Sequence, residues 1–378
     1  MSQSRGPLTI GIDASRAVTV RPTGTERYSR RIIEELLEQG SEQRFRLYLN
    51  GRRPLDLPLR ASTEQRLIPL PRLWTHLRLS AELALHPVDT LFIPSHVVPP
   101  VHPRATVVTI HDLGYLHEPE AHTDWSRRYL DWSTRWSVRA ARRIIAISNT
   151  TKRDLVECYH VPPDRISVVY HGIDERFKPA TDDERAHVRH GIGLGVDDRF
   201  ILFVGTLQPR KNLVRLIEAF ETIADREPNL KLVLAGRRGW KIDEIDQAIK
   251  SSRHRARIIL PGHVPDGDLP ALYSAAAVVA LVSLYEGFGL PALEAMACGA
   301  PVLVSERGSL PEVTGDAAIM IDPLDTRAIA AGLRSHLDPN ERNRWSERGR
   351  RRAARFTWQQ SGRDTLEILT NADSPREG

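Results

Sequence analysis

Short apolar runs alternate with stretches of helical periodicity along nearly the whole chain. Runs that stay apolar throughout suit strands buried on both faces, so the alternation predicts α/β architecture with parallel sheets. In the first half, Leu8–Ile12, Arg44–Asn50, Thr90–Ile93 and Thr106–Ile110 read as strands. The stretch ERYSRRIIEELLEQG reads as a helix stopped by Gly40, and a second helix from about Trp125 runs into the strand RRIIAIS. ISVVYHGI closes this half as its last strand.

From Asp174 to Arg199 the pattern dissolves into Pro, Asp, His and Gly, with one short helix inside, which predicts an interdomain connection. A second alternation follows. Strands are expected at Phe200–Val204, Lys231–Ala235, Arg257–Leu260, Val278–Val282, Val302–Val304 and Ala318–Ile321. Helices are expected at Leu213–Arg226, Ile242–Ser251, Asp268–Ala276 and Pro291–Ala297, and from Thr326 onward, with a break near Phe356. The chain, 378 residues long, exceeds the roughly 250–300 residues at which single cores stop growing. The predicted division is therefore an N-terminal domain over 1–178, a linker over 179–199 and a C-terminal domain over 200–356. A last helix with a short tail is expected over 357–378. Open α/β sheets bind ligands beyond the carboxyl ends of their strands, so the chemistry should sit there.

Charge adds one asymmetry. Residues 1–178 hold 26 Lys and Arg against 20 Asp and Glu, while the remainder holds 27 against 28. The basic excess is either a set of solvated faces or the mark of an anionic partner, such as a phosphorylated lipid or a membrane surface. No apolar run approaches the ~18–20 residues of a spanning helix, and the N-terminus lacks a signal-peptide apolar region. Cys158 and Cys298 stand far apart in unrelated contexts, which fits a reducing compartment and excludes a disulfide framework or cysteine metal site. The cytoplasm is the expected compartment, with peripheral contact at the anionic inner face of the cell membrane left open.

The densest chemistry lies in SLYEGFGLPALEAMACG, residues 283–299. Glu286-Gly287-Phe288-Gly289 forms the turn leaving a buried-type strand, and Pro291 suits the start of a helix because its missing N–H is not needed there. That helix start carries free N–H groups and about half a positive charge, a ready anion site. Glycines at 287 and 289 permit close backbone approach. Glu294, one turn in, can accept hydrogen bonds from vicinal hydroxyls, and Glu286 can face a developing positive charge. A strand-turn-helix with merely solvated glutamates is the bland alternative.

The stretch SLYEGFGLPALEAMACGAPVL resembles the two-glutamate signature of retaining, nucleotide-sugar-dependent glycosyltransferases of family 4, which have the GT-B fold. The resemblance continues in FVGTLQPRKNLVRLIEAF, LAGRRGW, PGHVPDGDLPALYSAA and GSLPEVTGDAAIMIDP, and upstream in GTERYSRRI, IHDLGYLHEP and IIAISNTTKRDL. It implies two Rossmann-like domains facing across a cleft, with a C-terminal helix crossing back to the N-terminal one. It further implies an acceptor site in the first domain and a donor site in the second.

Residue by residue, the resemblance implies that Glu294 binds the donor ribose and that Glu286 lies against the donor sugar. The backbone of Phe288, Gly289 and Leu290 would contact sugar and diphosphate, and Gly205, Gly236, His263 and Val264 would complete the donor site. Arg210 and Lys211 arrive at a strand's carboxyl end, where cations can clamp a leaving diphosphate. Many relatives carry an arginine directly after the glycine of this strand. Thr206 stands there in this chain, and Arg210 is expected to supply the second charge. His111, after the strand TVVTI, is similar to the family's donor-facing histidine that orients the sugar. Gly24, in the loop after the first strand, resembles the glycine that closes over diphosphate or acceptor. Catalytic roles thus fall to His111, Glu286, Arg210 and Lys211.

Other patterns carry less. HGIGLGVDD precedes a strand instead of following one, so it fails as a dinucleotide loop. Asp266-Gly267-Asp268 imitates a metal motif of another glycosyltransferase fold, but Asp268 reads better as a helix N-cap, and neither half has zinc-ligand spacing. No metal or cofactor is expected. Trp125, Tyr129, Trp132 and Trp136 make a stripe on one helix, interleaved with arginines. Core packing is the favoured explanation, and a surface helix meeting a membrane or lipid acceptor is the alternative. No nucleic-acid-binding signature is present.

The expected activity is transfer of a hexose, with GDP-mannose the leading donor, to a hydroxyl of a glycan or lipid-linked acceptor in surface polysaccharide or glycolipid synthesis. A nucleotide-sugar epimerase would instead convert donor alone. A nonenzymatic relative would bind the donor without turnover.

Overall fold

The computed structural model describes residues 7–18, 24–57, 62–95, 97–119 and 123–373. The chain forms two compact units. One comprises Met1–Leu113, Asp124–Gly172 and Thr357–Gly378, and the other Gly114–Thr123 and Ile173–Phe356.

In the first unit, β1 (Thr9–Asp13), β2 (Arg44–Leu49), β3 (Thr63–Leu67), β4 (Thr90–Ile93), β5 (Ala105–Ile110), β6 (Arg143–Ala146) and β7 (Ile166–Val168) form one sheet. Its order is β3-β2-β1-β4-β5-β6-β7, and every pairing is parallel. All residues of β4, β5 and β6 are buried, because helices cover both faces of a parallel sheet, and this explains their unbroken apolar runs. β3 was not foreseen. Its sequence TEQRL has no apolar alternation, since an edge strand needs only backbone pairing along β2. The Gln65 side chain adds two bonds, accepting from Leu55 N–H at 2.7 Å and donating to Leu55 C=O at 3.0 Å. β7 is shorter than the eight-residue strand expected there.

The last helix, Trp358–Thr370, lies on the helix Gly24–Gln39 in this first unit, as the resemblance implies. Its start is capped by Thr357, whose hydroxyl accepts from Gln360 N–H. The two helices approach so closely at Gly362 that a Cβ there would stand 2.6 Å from Glu35 Cβ. The helix Asp124–Ala140 reverses one expectation. It turns Ser133, Thr134, Ser137 and Val138 inward and leaves Trp125, Tyr129 and Trp132 in solvent, so the aromatic stripe is not core.

The second unit contains β8 (Arg199–Val204), β9 (Leu230–Ala235), β10 (Ile258–Gly262), β11 (Val278–Leu281), β12 (Val302–Ser305) and β13 (Ile319–Ile321). They pair in parallel in the order β10-β9-β8-β11-β12-β13. Ile201, Leu234 and Leu303 of the sheet meet Leu216 and Phe220 from the helix Leu213–Ala224, and Leu333 from the helix Thr326–His336, in one apolar cluster.

Residues 179–199, read from sequence as a linker, go with this unit. The helix Asp182–Gly191 opens on a reciprocal cap between Thr181 and Glu184. Ala180 N–H donates to Ser274 Oγ at 3.0 Å, and Arg189 donates to the carbonyls of Gly195, Val196 and Asp198. The short helix expected here is thus present, ordered by caps and backbone carbonyls and by burial of Val188 and Leu194. Asp268 does stand at a helix start, but its side chain makes no capping hydrogen bond.

Both sheets reverse their strand order once, between β1 and β4 and between β8 and β11. Loops leaving the two central strands at such a point diverge to opposite sides and open a crevice.

Candidate functional site

The reversal point of the second sheet gathers the charged residues. β8 ends at Gly205, whose N–H donates to Ala235 C=O at 3.0 Å, and Gly236 N–H donates to Gly262 C=O at 2.7 Å. These neighbouring strand ends are pressed together. A Cβ at Gly236, where φ is +146°, would lie 1.9 Å from Gly205 O, so no side chain fits. Beyond β10, His263 is exposed and Val264 is buried.

After Gly205 the chain makes a 3-10 turn, Pro209–Lys211, tied to the loop that leaves β11. Arg210 C=O accepts from Leu284 N–H at 2.9 Å, and Arg210 Nη1 donates to Tyr285 C=O at 2.7 Å. Asn212, in the left-handed region at φ +58°, donates to the carbonyls of Val282 (3.0 Å) and Pro323 (2.7 Å). Two loops from adjacent central strands are thereby locked into one surface.

Glu286 is its focus. Lys211 Nζ lies 2.5 Å from Glu286 Oε1, Ser283 Oγ donates to the same oxygen at 2.7 Å, and Arg210 Nη1 reaches Oε2 at 3.4 Å. Burial alone would raise the carboxyl's pKa. Lys211 and Arg210, with the hydrogen bonds from Lys211 and Ser283, outweigh it and hold the group at about 2. The backbone of Glu286 is equally fixed. Ser309 donates to its carbonyl from both N–H (3.1 Å) and Oγ (3.0 Å), and a Cβ at Gly308 would fall 2.7 Å from that oxygen. One carboxylate between two cations leaves a net positive surface at the strand ends, suited to a polyanion.

Gly289, at φ +97°, turns the chain into the helix Leu290–Ala297, with Pro291 in its first turn. Phe288 is buried edge-on against Phe356, their ring centroids 6.1 Å apart. Glu294 is buried and accepts from the Tyr273 hydroxyl at 2.8 Å. The segment Gly114–Thr123 also reaches this unit. Its His117 ring stacks on Tyr285 at 4.5 Å, and burial raises the Glu118 carboxyl against the pull of His117, Arg210 and Arg307.

In the first unit, His111 follows β5 and is buried, its Nε2 2.8 Å from Pro94 C=O. A carbonyl can only accept, so Nε2 carries the proton. The ring meets Tyr28 edge-on at 4.9 Å and stacks on His171 at 5.9 Å. Burial, with His111 adding to it, holds His171 well below the ordinary histidine range. Gly24 corrects an expectation, because it is the exposed first residue of the helix Gly24–Gln39 and not part of a loop.

Residues 22–177 match the family model described as Glycosyltransferase Family 4, and residues 185–352 match Glycosyl transferases group 1. O-antigen chain mannosyltransferase B of Escherichia coli is 35% identical over 262 residues, covering 69% of this chain and 68% of that protein. The chain belongs to the family 4 glycosyltransferases. Several other curated relatives are matched over only about half of their own length. Sucrose-phosphate synthase from Thermosynechococcus elongatus shares the fold at TM-score 0.75 and 20% identity, over 97% of this chain and 99% of that one. HepE from Anabaena, solved with UDP-glucose, does so at TM-score 0.73 and 17% identity, over 96% and 99%. The fold is GT-B.

Within this glycosyltransferase, Arg210, Lys211 and Glu286 meet directly, while Gly205 and Gly236 bring the strand ends together beside them. Thr206 is exposed. Sequence reasoning passed over Ser283, Ser309, Tyr273 and Asn212. Each is a common polar residue whose role depends on a partner at least three and up to 111 positions away. Asn212 alone left a trace, as the residue after Arg-Lys in a turn that demands a left-handed conformation.

Proposed function

We propose that this glycosyltransferase moves a hexose, mannose from GDP-mannose, to a hydroxyl of a glycan or lipid-linked acceptor, with retention of configuration and without a metal ion. The observation that carries the reading is the pair of cations, Arg210 and Lys211, set around Glu286, whose carboxyl they hold well below the usual range, at the reversal point of the second sheet. Their charges and the start of the helix Leu290–Ala297 are what a departing nucleoside diphosphate requires. Glu294 takes the ribose hydroxyls, sharing its carboxylate with Tyr273, and Glu286 holds the two cations in place while lying against the sugar.

In the proposed step, the bond from the anomeric carbon to the diphosphate oxygen breaks as the acceptor oxygen bonds to that carbon on the same face. The acceptor proton passes to the departing phosphate, so no protein base is required. His111 and Gly24 keep the roles that the resemblance implies. The similarity to an O-antigen mannosyltransferase supports mannose and a surface-polysaccharide setting, and a fold relative solved with UDP-glucose supports a nucleotide-sugar donor. The expected setting is cytoplasmic.

Calorimetry against GDP, UDP, ADP and dTDP, with and without magnesium, tests the reading. Selective, magnesium-independent binding of GDP that Lys211→Ala and Glu294→Ala abolish is expected. Tighter binding of another base replaces mannose as the donor proposal, and binding of none removes the activity.

A further inference from the structure

The helix Asp124–Ala140 is built inside out. Its buried face is Ser133, Thr134, Ser137 and Val138, and its outer face holds Trp125, 77% exposed, and Trp132, 54% exposed. Small residues suit the inner face because the helix lies close on the sheet. Ser137 Oγ accepts from Val98 N–H at 3.2 Å, and Trp136 Nε1 donates to Val98 C=O at 2.8 Å, anchoring one end of the stripe. Among the described residues no such hydrogen bond anchors the rings of Trp125 and Trp132. Trp125 and Tyr129 stack on each other in solvent at 5.8 Å. A large apolar patch left in water is the informative exception to core packing.

Charge follows the same face. At about 100° per residue, the four aromatics and Arg128, Arg135 and Arg139 fall within an arc of about 120°. Asp124 and Asp131 lie outside that arc, paired with Arg127 and Arg135. The Trp132 ring also meets His76, which belongs to the π-helical turn Trp74–Leu79. That turn presents two more apolar side chains, Leu73 (61% exposed) and Leu77 (58%). Leu73 sits at φ +56°, an uncommon backbone conformation for a residue with a Cβ, so here the chain accepts strain beside an exposed apolar group.

We propose that this face, the outer side of the helix Asp124–Ala140 with the Leu73–Leu77 turn, docks the protein onto the surface of a bilayer containing anionic phospholipid. Indole and phenol rings settle at the headgroup level, and arginines beside them meet the lipid phosphates. The chemistry disfavours a second copy of the chain as the occupant. A two-fold pair would bring Arg128 and Arg139 of both copies onto one face, with no acid inside the arc to offset them. Among the described residues no helix is long and apolar enough to cross a membrane, so the contact is peripheral. The inference does not rest on the sugar-transfer reading.

Co-sedimentation of the full chain with phosphatidylcholine vesicles, with and without phosphatidylglycerol, tests it in the absence of nucleotide. The protein should sediment with the phosphatidylglycerol vesicles, and high salt should weaken that binding. Trp125→Ala/Trp132→Ala and Arg128→Glu/Arg139→Glu should each weaken it by about tenfold or more while leaving the melting temperature unchanged. Absence of binding to anionic vesicles, or binding by both double variants equal to that of the wild type, overturns the proposal. So does a concentration-dependent dimer in sedimentation velocity that the tryptophan variant abolishes without any vesicle binding, which would make the face a self-association surface.

Discussion

Lys211 Nζ lies 2.5 Å from Glu286 Oε1, joining residues 75 positions apart on two loops that leave adjacent central strands. The contact fixes both partners. The carboxylate cannot be protonated at any ordinary pH, and the ammonium is held at the strand ends with Arg210 beside it.

If Lys211 stabilises the charge of a leaving diphosphate, Lys211→Ala should lower kcat by roughly 10²–10³, the scale for losing one transition-state charge donor. Steady-state kinetics at saturating donor measure this. A near-wild-type kcat removes Lys211 from the reaction and leaves it a structural partner of Glu286.

Acid stability should fall in two steps. His336 is buried, with Nε2 3.1 Å from Val302 C=O, and burial lowers its pKa to about 4 against that bond. Its folded value is depressed, so its contribution is complete above about pH 6.5 and is lost as pH falls towards 4, a change of about 3 kcal/mol. Glu286, also depressed, contributes fully above its unfolded value near 4.5 and is lost as pH falls towards 2, again by about 3 kcal/mol. Melting temperatures of His336→Gln and Glu286→Gln across pH 7 to 3 check the assignment. The first variant should flatten the upper part of the curve and the second the lower part. Curves parallel to wild type refute it.

Gly236→Ala should cost far more than Gly262→Ala. Both glycines have positive φ, but a Cβ at 236 meets Gly205 O at 1.9 Å, whereas one at 262 has no atom within 4 Å. Backbone strain alone, about 1 kcal/mol, is expected at 262. At 236 the strand ends must separate, so both the melting temperature and nucleotide affinity should drop. Equal losses at the two positions would falsify the close-packed arrangement.

Tyr273→Phe deletes one buried hydrogen bond to Glu294 while keeping the ring. The expected stability loss is about 1–3 kcal/mol, because the carboxylate loses a donor. If Glu294 holds the donor ribose, KM for donor should rise more than kcat falls. An unchanged KM places the pair outside the donor site.

Periodicity and composition alone established the α/β class and twelve of the thirteen strands of the described residues, β7 at less than its expected length, while the return of a terminal helix was implied by the family resemblance. They also singled out Arg210, Lys211, Glu286 and Glu294, because these stand in local patterns, a strand followed by a charged turn or a glycine turn opening a helix. Such signals span one strand and its loop, which is the range over which sequence is explicit. The edge strand β3 escaped because strand pairing needs only the backbone, and what the sequence did not show of the segment 179–199 is its anchoring to the second unit through Ser274 and backbone carbonyls. Partners remote in sequence were decided by tertiary structure alone. Tyr273 on Glu294, Ser309 on the Glu286 carbonyl and His117 on Tyr285 each depend on which loops the sheet order brings together. The facing of the Asp124–Ala140 helix belongs with them. Spacing marked its aromatics as one stripe, but a stripe has the same period whether it faces the core or the solvent. Only the packing of Ser133, Thr134 and Ser137 against the first unit turned it outward.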